Sequence, residues 1–140
     1  MIRYPEYFND CFPKSMESNQ NFKRYMSLIV NKSCRTSTKE TPEKHHIVPR
    51  EWLTWNIRGF SASSEDTNNV VYLSVRDKLL SYLFLCLFFL DRVDSKTYNK
   101  LTKTVARRYN LTWSEFWSNP YLSSETFNKL VNERENKLKK

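Results

Sequence analysis

Glycine is almost missing: Gly59 is the only one in 140 residues, and there are five prolines. Sandwiches and barrels built from many short strands need such residues at their corners, so a turn-rich all-β architecture is excluded and a helix-rich chain is expected. Cysteine is scarce too. Cys11, Cys34 and Cys86 are odd in number and form no C-x-x-C pair, which argues against a disulfide framework and a zinc knuckle and fits a reducing cytoplasm. The longest apolar run, residues 79–90, contains Ser81 and Tyr82 and is closed by Asp91-Arg92. It is too short to cross a bilayer and is expected to be a buried helix. No basic stretch followed by an apolar core opens the chain, so secretion is not expected either. Acids are the minority, 15 against 23 Lys and Arg, for a formal charge of +8. That balance points to a polyanionic partner, nucleic acid first and an anionic membrane surface second.

What is present suits a folded chain. Hydrophobic residues make up 39% and aromatic residues 15% of the sequence, more than a disordered segment carries, and the length fits one domain with extensions. Residues 1–42 comprise an aromatic arm and a helix whose Phe22, Tyr25, Met26 and Ile29 fall at i, i+3, i+4 and i+7, one apolar stripe. A polar loop follows over residues 32–42, where Lys32, Arg35 and Lys39 could meet a phosphate. Residues 45–48 and 70–73 are expected to be short strands, and the stretch between them is too long for a tight hairpin, so it should form a compact Ω-type loop. Ser74 with Asp77 makes a capping pattern, which starts a helix at Val75 and carries it to about Leu90. Residues 93–140 form a helical, basic extension. There Tyr98, Leu101 and Val105 lie on one side, Lys96, Lys100, Lys103, Arg107 and Arg108 share the segment without an acid, and Phe127, Leu130, Val131 and Leu138 stripe a last helix. The fold class expected is α+β, mostly helical.

The only two histidines are adjacent, in Glu43-Lys44-His45-His46-Ile47-Val48-Pro49-Arg50, and are answered downstream by Asn69-Val70-Val71-Tyr72-Leu73-Ser74-Val75-Arg76-Asp77-Lys78. In motif and spacing, residues 43–90 resemble the ββα-metal core of HNH (His-Me finger) endonucleases. The likeness is to the small phage-encoded, homing-type enzymes, whose pattern runs roughly E-x-H-H-I-x-P-R, then N-L-V-x-L-T-x-R-E-H, then a histidine one helical turn on. The resemblance implies a ββα core over residues 43–92 with flanking helices. It implies His45 as a ligand of a divalent cation, Mg²⁺ or Zn²⁺, and His46 as the general base that activates water against a DNA phosphodiester. Asn69 would clamp the loop that holds the base in line.

The chain departs from that pattern at the two remaining ligand positions, which fall on Lys78 and Tyr82, an i, i+4 pair on one helical face. An ammonium has no lone pair to offer a cation, and a phenol binds one only after losing its proton. Two functions are therefore expected to compete. One is an HNH-type DNA endonuclease or nickase of phage or mobile-element origin. The other is a descendant that keeps the fold and the basic surface without metal-dependent hydrolysis or any cofactor, a DNA-binding or protein-interaction module. Either would contact DNA through Arg50, Arg58, Lys78, Lys96, Lys100, Lys103, Arg107 and Arg108, with His46 and Lys78 facing one another across the core.

Overall fold

Side-chain caps set where the helices begin. In the computed structural model, which describes residues 4, 5, 8, 12, 14–35, 43–49, 67–91, 95–109 and 124–138, Asn19 accepts a hydrogen bond from the Phe22 amide at 3.0 Å and opens helix α1, Gln20–Lys32. The buried side chains of α1 are Phe22, Tyr25 and Ile29, with Met26 packed at the core margin. Strand β1, Glu43–His46, pairs antiparallel with β2, Val70–Leu73, in the register Glu43 to Leu73 and His45 to Val71. Ser74 then caps helix α2, Val75–Asp91: its hydroxyl accepts from the Asp77 amide at 3.1 Å and donates to the Asp77 carboxylate at 3.0 Å. Helix α3, Ser95–Arg108, and helix α4, Ser124–Leu138, complete a mostly helical α+β arrangement.

The first strand starts and stops two residues earlier than the expected 45–48. The ladder ends because Tyr25 takes the Ile47 carbonyl and the Asn69 side chain takes both backbone groups of Val48, and Ile47 and Val48 are fully buried. Beyond β2 the pairing continues on its other side, where Cys34 and Tyr72 exchange backbone hydrogen bonds of 3.0 and 2.7 Å. Arg35, expected to be available to a phosphate, spends its Nη1 on the carbonyls of Asn68 and Val70, each at 2.9 Å. Leu138, placed on the apolar stripe of the last helix by its spacing, is instead exposed; Leu130 and Val131 are buried there.

Helix α2 is the hub. Leu79, Leu83, Leu85, Cys86 and Phe88 are buried around its whole circumference, as befits a helix with neighbours on every side. Helices α1, α3 and α4 and both strands pack on it. The amino-terminal aromatic residues join through a chain of ring contacts: Tyr4 stacks on Phe8 at 4.4 Å, Phe8 meets Phe12 at 5.2 Å, and Phe12 meets Phe22 at 5.1 Å. No helix among the described residues is long and apolar enough to cross a membrane.

Candidate functional site

Strand alternation decides which histidine enters the core. Glu43 and His45 point inward and are buried, whereas Lys44 is exposed and His46 is half-buried on the other side of the ribbon, because successive strand side chains point to opposite faces. His45, not His46, therefore shares the interior with Lys78 and Tyr82 of α2. Its ring stands edge-on to that of Tyr82 at 5.6 Å, and the Lys78 amine lies 5.8 Å from the same Tyr82 ring. The expectation that His46 would face Lys78 is corrected by one step of the pleat.

His45, Lys78 and Tyr82 thus converge, and hydrogen bonds to the backbone and to α1 hold them in place. Tyr25 reaches across from α1, donating its hydroxyl proton to the Ile47 carbonyl at 2.6 Å, with the His45 Nε2 2.8 Å away. Having given its one proton to the carbonyl, the hydroxyl must accept from His45, which fixes the Nε2–H tautomer and leaves Nδ1 as the lone pair. That Nδ1 has no hydrogen-bond partner among the described residues. Burial pushes the Tyr25 phenol well above its usual range, so it stays a proton donor. Burial first, then the Lys78 amine, holds His45 well below the usual imidazole range, so the ring is neutral. Lys78 is only 3% exposed and donates to the backbone carbonyl of Lys44. Burial and the Arg108 guanidinium push its amine down to about 7, opposed by the Glu43 carboxylate.

A second set of charges closes the inner end of the ribbon. Glu43, 4% exposed, meets Arg134 of α4 through two contacts of 2.7 and 2.9 Å and Arg108 of α3 at 3.6 Å. One buried carboxylate therefore answers two guanidiniums as well as the nearby amine. Neither Glu43 nor Tyr25 nor Arg134 was singled out as a site residue from the sequence. Glu43 was nonetheless detectable two residues before His45, on the same face of a strand. The Tyr25 hydroxyl was masked by its place in an apolar stripe.

Asn69 joins the two ends of segment 50–66, where the expected Ω-type loop lies outside the described residues. Its side chain accepts from the Val48 amide at 2.8 Å and donates to the Val48 carbonyl at 3.0 Å, while its own carbonyl accepts from the Ile47 amide at 2.9 Å. Of the expected DNA contacts, Lys100, Lys103 and Arg107 are exposed on α3. Arg108 is turned towards Glu43, and Lys78 is buried, so it is no surface cation. Arg50 and Arg58, like the side chain of Lys96, lie outside the described residues.

The residues at this centre do not fit a divalent cation. One neutral imidazole, one amine and one phenol do not make a ligand set, and His45 already spends Nε2 on Tyr25. Among the described residues no group of three or more His, Cys, Asp or Glu side chains could hold a metal ion. Comparison with protein-family models, curated proteins and solved structures found no match.

Two of these groups make stability depend on pH in the same direction. Between its folded value of about 7 and its ordinary 10.5, the Lys78 amine carries a proton in the unfolded chain that it lacks in the folded one. Stability should then rise with pH across that window, by at most about 1.4 kcal/mol per pH unit, with the burial cost fully present below about pH 7. His45, depressed from 6.5, adds a further loss as pH falls below that value. Denaturant titrations from pH 5 to 9.5 should show increasing stability, and Lys78→Met should flatten the rise above pH 7. An equal slope in wild type and variant would reject the assignment.

Proposed function

We propose that this chain is a metal-independent relative of the phage and mobile-element HNH endonucleases, one that binds DNA in the cytoplasm and has lost metal-dependent cleavage. In this reading β1, β2 and α2 are the His-Me finger core, with His45, Lys78 and Tyr82 at its three ligand positions. The observation that carries the loss of cleavage is the chemistry at those positions: the Lys78 amine beside His45 is committed as a donor to the Lys44 carbonyl, and in its protonated form it repels a cation. His46 keeps a base at the ribbon, but among the described residues no ligand set holds a cation to stabilise the leaving oxygen. DNA binding is supported by the net charge of +8 and by α3, whose exposed Lys100, Lys103 and Arg107 have no acid among them.

Fluorescence anisotropy on duplex DNA, plasmid nicking and a calorimetric titration with Mg²⁺ and Zn²⁺ test the reading together. Expected are no metal binding, no nicking, and DNA affinity that falls with salt at a log-log slope of about −3 or steeper, roughly 0.9 for each phosphate neutralised. Nicking that disappears both in EDTA and in His46→Ala would establish an active endonuclease instead. Absence of DNA binding at micromolar protein and low salt would favour a protein-interaction module.

A further inference from the structure

Helix α1 has a second face, which the Tyr25 contact turns outward. Its buried residues Phe22, Tyr25 and Ile29 point at the core and at His45. On the opposite side Gln20, Arg24, Ser27 and Asn31 follow one another at i, i+4, i+7 and i+11, flanked by Lys23 and Val30, and all six are exposed. We infer that this face of α1 is a recognition surface that reads base edges in the major groove of duplex DNA; the inference rests on the DNA-binding reading above.

The side-chain chemistry is that of base readout. Arg can make a bidentate pair with guanine O6 and N7, Gln and Asn with adenine N6 and N7, Ser with either, and an apolar side chain can meet the thymine methyl group. Val30, 54% exposed, is the more exposed of the two large apolar side chains that reach solvent among the described residues. The Asn31 amide is already oriented by a hydrogen bond to the Ser27 hydroxyl at 3.1 Å. From Gln20 to Asn31 the stripe runs about 16 Å at 1.5 Å per residue, enough to pass several base pairs, and a helix about 10–12 Å across fits a major groove about 12 Å wide. The deep, narrow major groove of A-form RNA does not admit it.

A merely solvated face looks different, and this molecule supplies the comparison. Exposed Glu125, Lys129, Glu133 and Lys137 on α4 alternate in sign at steps of four, the pattern of a helix surface that satisfies itself in water. The thirteen residues of α1 contain no acid at all. Helix α3 is also acid-free, but its exposed face offers Lys100, Lys103 and Arg107, suited to phosphates rather than bases. Both helices pack on α2. At about 8–10 Å per packed pair they lie within about 20 Å of each other, less than one turn of B-DNA.

Selection of wild-type binders from a randomised duplex library, followed by anisotropy on the selected and a scrambled duplex, tests the inference. The selected sequence should bind more tightly, and Arg24→Ala and Asn31→Ala should each lose about tenfold of that preference with little change on the scrambled duplex. The triple variant Lys100→Ala, Lys103→Ala, Arg107→Ala should weaken both duplexes alike and make the salt slope shallower by about 3. These side chains are exposed, so an unchanged melting temperature is expected and separates lost recognition from lost folding. A library that returns no preferred sequence, α1 variants that keep the full preference, or equal affinity for double-stranded RNA would each overturn the recognition surface while leaving DNA binding intact. Failure of the wild type to bind any duplex would overturn the DNA-binding reading itself.

Discussion

Glu43→Ala should destabilise the protein by about 3 kcal/mol, near the lower end of the range for breaking a buried ion pair because Arg134 and Arg108 keep part of their surface in water. The variant leaves two guanidiniums and a buried amine without the carboxylate that faces them among the described residues. Against the 5–15 kcal/mol that separates a typical domain from its unfolded state, this is a large share. Chemical denaturation of Glu43→Ala beside Arg108→Ala measures it. The arginine variant should lose no more than about 1 kcal/mol, since its contact is longer and more exposed. Equal losses in the two would mean that Glu43 is not the centre of the cluster. A secondary effect should follow in Glu43→Ala, because removing the carboxylate takes away the one influence that holds the Lys78 amine up. Lys78 should titrate at still lower pH there.

Rebuilding the ligand set should change the chemistry of the same centre. The double variant Lys78→His with Tyr82→His places two imidazoles one helical turn apart on α2, opposite His45, and should bind Zn²⁺ at least about a hundredfold more tightly than wild type. At saturating metal this corresponds to roughly 3 kcal/mol of added stability, readable as a rise in melting temperature that chelation reverses. Adding His45→Ala should cancel the gain. Plasmid nicking should appear only in the rebuilt protein with His46 intact, since removing a general base costs about 10²–10⁴-fold. Zinc affinity unchanged from wild type would mean that the three positions do not converge closely enough to share an ion.

Much of the fold was legible in the sequence because it is local. The Ser74 hydroxyl, the stripe of α1 and the β-branched Val70-Val71 each specify their element within a few residues, and the structure follows them. The strand boundary was not legible, since β1 is ended by Asn69, more than twenty residues away, and no local pattern records that competition. The burial of Lys78 was missed for a related reason. A lysine near a helix start ordinarily stays in water, and only the strand packed across α2 supplies the carbonyl that keeps it in. Arg134 lies 91 residues from Glu43, a pairing that no periodicity could reveal. Within the candidate site, then, the histidine pair and Asn69 could be marked in advance, whereas the groups that determine their protonation could not.

The bonds of Asn69 to Ile47 and Val48 also bear on how this fold tolerates change. They tie the residues just before segment 50–66 directly to the one that precedes β2. The Asn69 side chain matches both backbone groups of Val48 from outside the ladder, so a one-residue slip of β1 against β2 would leave that amide without its partners.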